Sequence, residues 1–168
     1  KILQELVNPP SDEKKELSTG FRTFRLGDKV MQTKNNYNII WEKDNGETGE
    51  GIFNGDIGVI ENIDIHTETA QIRFDDRSAV FAKDQLIDVE LAYAITVHKS
   101  QGSEFPAVIM PVVSVLPNLR YRNLLYTAVT RAKKLMILVG TAAEVEAMTQ
   151  NDKKTRRYSA LRYFLSEN

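Results

Sequence analysis

Between Lys29 and Phe81 the chain is cut into short runs rich in β-branched and aromatic residues, and no other feature limits its fold as strongly. The runs are Lys29 to Gln32, Tyr37 to Trp41, Ile57 to Ile65, Ala70 to Phe74 and Ala79 to Phe81. Asp44-Asn45-Gly46, Asn54-Gly55, His66-Thr67-Glu68 and Asp75-Asp76-Arg77 separate them with turn-forming chemistry, so they read as antiparallel strands of a small barrel. Alternation in Ala70-Gln71-Ile72-Arg73-Phe74 turns one face inward and the other to water.

The texture differs on either side. Residues 1 to 7 suit a short helix that Asn8-Pro9-Pro10 must end, because proline has no backbone donor, and Ser11 to Gly20 reads as a polar connector. After about Leu86 the signals alternate. Leu91 to Val97 is uncharged and therefore buried, its alanines favouring a helix, and Val108 to Val113 suits a fully buried central strand. Arg122 to Lys134 reads as a helix with Leu124, Leu125, Ala128, Val129 and Ala132 on one face. Leu135 to Val139, closed by Gly140, is a second buried strand, and Ala142 to Met148 a further helix. Strands alternating with helices mean a parallel layer, so the chain is an α/β domain interrupted by a β barrel.

Charge follows the same division. Residues 1 to 40 carry 7 basic and 5 acidic side chains, 41 to 90 carry 4 and 13, and 91 to 168 carry 11 and 5. An acidic middle between basic flanks suggests two modules with any polyanion facing the flanks, although unevenly spread solubilising charge accounts for the counts equally well. The absence of cysteine excludes disulfides and thiolate metal sites, and His66 and His98 lie too far apart for a local zinc pair, so no metal site is expected. No apolar stretch has membrane length and nothing at the start resembles a signal peptide, which makes a cytoplasmic protein the default. Lys1 opens inside a helical pattern already under way, as in a piece cut from a longer protein.

Two stretches carry chemistry. In Ala94-Ile95-Thr96-Val97-His98-Lys99-Ser100-Gln101-Gly102-Ser103-Glu104-Phe105 a buried element gives way to a polar glycine-containing turn and then to a buried strand. Turns at the edge of an α/β sheet hold ligands, and the Ser100 and Ser103 hydroxyls, the Gln101 amide and the Lys99 cation all suit phosphates. The plainer reading, which the physics alone favours, is a helix C-cap at Gly102 with solvated neighbours. In the second stretch, Leu124 to Lys134, the helical wheel sets Arg131 at the border of the apolar face, where its stem can pack and its guanidinium can enter a cleft. Last-turn cations that complement a helix dipole explain Lys133 and Lys134 well and Arg131 less well.

These stretches also carry a family resemblance. AYAITVHKSQGSEF, Ala92 to Phe105, resembles motif V of superfamily 1 helicases, and LLYTAVTRAKKLMILVG, Leu124 to Gly140, resembles motif VI, in the right order. His98-Lys99-Ser100-Gln101-Gly102 is similar to the spelling of the 5′-to-3′ branch, and Gly27 to Tyr37 resembles the start of the SH3-like insert of RecD-like enzymes, the exodeoxyribonuclease V alpha type. The resemblance implies a RecA-like second motor domain of the P-loop NTPase type with a parallel sheet, interrupted by a small SH3-like β barrel. Residues 1–25 and 89–168 would belong to the motor and 26–88 to the barrel. It also implies the C-terminal part of an ATP-dependent 5′-to-3′ DNA helicase. Arg131 would be the catalytic arginine at the γ-phosphate, with Gly102 and Glu104 beside it at the nucleotide. Thr96, His98, Lys99, Ser100 and Gln101 would face DNA, and Asn35 and Asn36 are candidate strand contacts against the plainer reading of a simple turn.

The departures are equally informative. The chain holds no G-x-x-x-x-G-K-[ST] loop and no apolar strand ending in paired acids; Asp75-Asp76 sits in a hairpin turn. The main residues for ATP and Mg2+ are therefore expected outside this chain, which alone should be inactive. Its expected partners are single-stranded DNA, the N-terminal motor domain of the same parent and other recombination or repair subunits, with no membrane. The competing reading is a stand-alone nucleic-acid- or protein-binding module built on the barrel. The barrel's acidity argues against a simple DNA-binding role, and motor motifs have no purpose in such a module.

Overall fold

The computed structural model describes residues 1–20, 22–113 and 115–152. They fall into two compact units, one from Lys1 to Lys99 and one from Ser100 onward. Five of the basic residues behind the C-terminal charge excess, Lys153, Lys154, Arg156, Arg157 and Arg162, lie outside the described residues.

The first unit opens with helix α1 (Ile2–Val7), which stops at Asn8 as the two prolines require. A hairpin follows, β1 (Glu16–Thr19) with β2 (Arg22–Arg25), so the stretch expected to be a connector contains a strand. Its polar letters concealed one inward residue: Leu17 joins Phe24 in the barrel core. The barrel is a seven-stranded antiparallel sheet of β3 (Lys29–Gln32), β4 (Asn36–Lys43), β5 (Thr48–Ile52), β6 (Ile57–Asp64), β7 (Thr69–Phe74), β8 (Arg77–Ala82) and β9 (Val89–Leu91). Spatial order is β5-β4-β8-β7-β6-β3-β9. Ile52 from one edge strand and Val89 from the other lie in the same buried cluster as Ile60, Ile72 and Phe81, so the sheet curls around one core. β7 alternates as expected, with Ala70, Ile72 and Phe74 buried and Gln71 and Arg73 toward water.

Beyond β9 the expected helix over Leu91 to Val97 does not form. Leu91 closes β9 against β3, and the Ala92 amide donates to the Lys29 carbonyl at 2.7 Å, so pairing with the barrel overrides the helical preference of the alanines. Only Ala92 among these residues is fully buried; Ala94, Thr96 and His98 are exposed, and Ile95 and Val97 lie between.

The second unit pairs β10 (Phe105–Val112) with β11 (Ala132–Gly140) in parallel, with Ile109 opposite Ile137. Helices α2 (Arg122–Val129) and α3 (Ala142–Gln150) accompany them. α3 has a proper start, the Thr141 hydroxyl accepting from the Glu144 amide at 3.3 Å. Two expectations change. The strands are not fully buried: Ile109 is 67% and Leu135 51% exposed, because among the described residues each has one sheet neighbour and little cover. The helix expected to reach Lys134 ends at Val129, and Ala132 already pairs with Phe105, which puts Lys133 and Lys134 on a strand. Neither lysine complements a helix end.

Candidate functional site

The candidate residues divide between the units. In the first, β9 leads into a segment without ladder partners in which Thr96 and His98 point to solvent. The Thr96 hydroxyl accepts from the Lys99 amide at 3.2 Å, a local turn that presents the lysine. Lys99 Nζ reaches Glu90 Oε2 at 3.1 Å, while Arg22 Nη2 donates to Oε1 of the same carboxylate at 3.0 Å. Both pairs are part-exposed and weak, so an anionic ligand could compete for Lys99.

The start of this segment is anchored deep in the unit. Asp28 is fully buried, and its carboxylate accepts from Gln4 Nε2 at 2.6 Å, the Arg25 amide at 2.8 Å, Asn8 Nδ2 at 2.8 Å and the Tyr93 hydroxyl at 2.8 Å. Burial, and then the hydrogen bond to Asp28, push the Tyr93 phenol up to about 12. Sequence reasoning missed this cluster; its members are spread from Gln4 to Tyr93, and the signal was only an aspartate at the mouth of a strand.

Asn35 and Asn36, on the turn into β4, spend their side chains locally. Asn35 Oδ1 accepts from the Asn54 amide at 2.9 Å, its Nδ2 donates to the Tyr37 hydroxyl at 3.3 Å, and Asn36 Oδ1 accepts from the Asn38 amide at 3.0 Å. They shape a turn beside Tyr37, whose exposed ring meets Phe53 edge-on at 5.6 Å between centroids. A cleft of about 880 Å³ lined by Thr19, Arg22, Lys83, Asp84 and Ile87 among others touches none of the candidate residues.

In the second unit the candidates come together. Ser100 is buried and its carbonyl accepts from the Ser103 amide at 3.1 Å, closing a turn in which Gly102 takes φ +86°. Gln101 and Gly102 are exposed. Arg131 follows α2 in the turn before β11, not on a helical wheel. Its Nη1 donates to the Ser103 carbonyl at 3.0 Å, its Nε to the Thr127 carbonyl at 3.3 Å and its Nη2 to the Thr130 hydroxyl at 3.3 Å. The Phe105 amide donates to the Arg131 carbonyl at 2.8 Å. The turn and the arginine, 28 residues apart, are thus one piece. Glu104 meets Lys133 at 3.1 Å on the surface. Three of the five guanidinium N–H groups serve these bonds, which leaves donors for an anion. Gly102 has open space within 4 Å of where a Cβ would lie, so a ligand could approach its backbone.

Among the described residues no group of three or more His, Asp or Glu side chains could hold a metal ion, and no helix is long and apolar enough to cross a membrane. Arg131 and the open backbone at Gly102 thus leave donors for an anion, and among the described residues no cation site accompanies them.

Comparison with known proteins gives two family matches: the SH3 domain of ATP-dependent RecD-like DNA helicases over residues 1–74, and the UvrD-like helicase C-terminal domain over residues 91–139. The ATP-dependent RecD2 DNA helicase of Deinococcus radiodurans is 32% identical over 139 residues, 82% of this chain and 17% of the relative. The RecBCD enzyme subunit RecD of Mycolicibacterium smegmatis is 36% identical over 125 residues, 74% of this chain and 20% of the relative. The chain therefore spans a fifth or less of the length of these two relatives. Among solved structures, Bacteroides Pif1 bound to single-stranded DNA matches with a TM-score of 0.53 at 16% identity, covering 98% of this chain and 42% of that one. A second Bacteroides Pif1 structure, with ADP-AlF3 and single-stranded DNA, also gives 0.53 at 16% identity, covering 97% and 41%. At that identity the likeness speaks to fold: a RecA-like α/β layer with an SH3-like barrel.

Proposed function

Because this chain belongs to the RecD-like DNA helicases of superfamily 1, we propose that it completes the ATP site of a motor that moves 5′-to-3′ along single-stranded DNA and couples that site to the strand. Arg131 is the catalytic residue, supplying positive charge to the terminal phosphate, with Gly102 and Glu104 beside the nucleotide. Thr96, His98, Lys99, Ser100 and Gln101 hold the DNA backbone, and Asn35 and Asn36 shape a turn that lets the barrel touch the strand. ATP with Mg2+ supplies the phosphoryl group whose transfer to water drives the cycle, and its main ligands belong to the N-terminal motor domain of the whole protein. Other recombination or repair subunits are partners on this reading, and the location is cytoplasmic.

The observation that supports it most is the Arg131 to Ser103 hydrogen bond, which joins the motif VI arginine to the motif V turn. An arginine seated there can report the state of the nucleotide to the turn without any further intermediary.

The test is made in the full-length protein. Arg131→Ala should lower DNA-stimulated ATP hydrolysis on the order of 10³-fold or more, the range of arginine fingers, with single-stranded DNA affinity little changed. Lysine should rescue only in part, since an ammonium lacks the planar fork. Hydrolysis, DNA affinity and melting temperature are measured on the same variants. Parallel losses in all three would assign Arg131 to structure, and near-normal hydrolysis by a folded Arg131→Ala protein would remove it from the mechanism.

A further inference from the structure

A buried carboxylate is costly unless its oxygens are fully hydrogen-bonded. Asp28 meets that demand with four donors, two on each oxygen: Gln4 Nε2 and the Arg25 amide on Oδ2, Asn8 Nδ2 and the Tyr93 hydroxyl on Oδ1. Three of the four lie at the N-terminal end of the unit, where they tie α1 to the turn between β2 and β3. The fourth comes from 65 residues away and does something else.

Tyr93 lies just beyond the last ladder bond, from the Ala92 amide to the Lys29 carbonyl, and just before the segment in which Thr96 and His98 are exposed. Three residues of chain reach at most about 10 Å, so fixing Tyr93 confines where Thr96 can go. A phenylalanine would fill the same space; only the hydroxyl adds the link to Asp28. Held neutral up to about 12, that hydroxyl remains a donor at any physiological pH.

We infer that Asp28 is a positioning residue for DNA binding: through the Tyr93 hydroxyl it fixes the backbone from which Thr96, His98 and Lys99 project, and so sets the geometry with which they meet phosphates. The inference rests on the proposed assignment of those three residues to DNA. Glu90, shared by Arg22 and Lys99, is the outer and weaker half of the same brace.

The experiment compares Tyr93→Phe and Lys99→Ala with the parent in the full-length protein, well below its melting temperature, by titrating a labelled oligothymidine strand at several salt concentrations. Tyr93→Phe should weaken DNA binding about fivefold to tenfold, a part only of what losing a hydrogen bond to a charged group costs, because β9 and the Thr96–Lys99 turn still restrain the segment. It should make the salt slope shallower by about 0.7 for each phosphate that is no longer neutralised, and leave DNA-free hydrolysis unchanged. A purely structural role predicts instead a lower melting temperature with affinity and slope unaltered, and that result overturns the inference. If Lys99→Ala weakens binding and Tyr93→Phe does not, the positioning role fails while the DNA assignment stands. If Lys99→Ala has no effect, the assignment of the turn to DNA fails and the inference falls with it. Asp28→Asn, which turns an amide donor toward existing donors, should move affinity in the same direction as Tyr93→Phe with an added loss of stability.

Discussion

At Gly102 the backbone sits at φ +86° and a Cβ would touch nothing within 4 Å, so conformation, not space, requires glycine there. Gly102→Ala should cost about 1–2 kcal/mol of folding stability, the strain of a left-handed alanine, and Gly102→Asn less, because asparagine tolerates that region better. Denaturant midpoints of the two variants check this; equal midpoints would mean the turn relaxes to another conformation. Such a glycine is legible in sequence, because a polar turn between apolar runs asks for one. The posture of Arg131 was not. A wheel drawn through Arg122 to Lys134 puts it on a helix face, whereas the chain has already left α2, and what holds the guanidinium is the carbonyl of Ser103, 28 residues earlier. Asp28 was hidden for the same reason: its partners, Gln4, Asn8 and Tyr93, are neighbours only after folding. Local pattern identifies residues that local structure needs, and long-range polar bonds leave no periodic trace.

Among the elements, the barrel strands with β-branched, alternating letters were readable, and those that owe their existence to a neighbour were not. β5 is Thr48-Gly49-Glu50-Gly51-Ile52, whose two glycines read as loop. Yet Gly49 is what the Trp41 ring requires, since a Cβ there would lie 2.3 Å from Cζ2. Strand β11 shows the opposite error, because Ala132-Lys133-Lys134 favours helix by composition and only the ladder to β10 makes it a strand. The end of that ladder supplies a prediction. A Cβ on Gly140 would stand 2.4 Å from the Val112 carbonyl oxygen, a backbone atom that cannot swing aside. Gly140→Ala should therefore force β10 and β11 apart at their C-terminal ends and destabilise the second unit by about 1–3 kcal/mol, the usual cost of overpacking. Hydrogen exchange of the Val112 and Gly140 amides should accelerate with it. Unchanged protection would show that the pair is held elsewhere.

For the whole molecule, texture showed from sequence that two kinds of structure share the chain, a barrel and an α/β part, and the charge counts, which alone decide nothing, follow the same division. The compact units part between Lys99 and Ser100, inside the polar turn, a point that texture alone does not mark because the barrel's last bonds run on through Ala92 and Tyr93. The same scale decides what the 168-residue chain can do by itself. Phosphoryl transfer needs a cradle of backbone amides and a lysine for the β- and γ-phosphates, and acids to hold magnesium. The sequence contains no phosphate-binding loop of that kind, and the described residues include no acidic cluster able to hold a cation. On the proposed reading it offers Arg131 and the open backbone at Gly102, which would stabilise charge on a nucleotide held by another domain. An arginine finger without a bound, metal-chelated substrate has no transition state to act on. The isolated chain should accordingly show no ATP turnover above background, with or without single-stranded DNA, while circular dichroism reports a folded protein. Adding back the N-terminal motor domain as a separate chain should restore DNA-stimulated hydrolysis, and Arg131→Ala in the added chain should abolish that restoration. Sustained DNA-stimulated turnover by the isolated chain would contradict the division of the site between two domains, and with it the role proposed for Arg131.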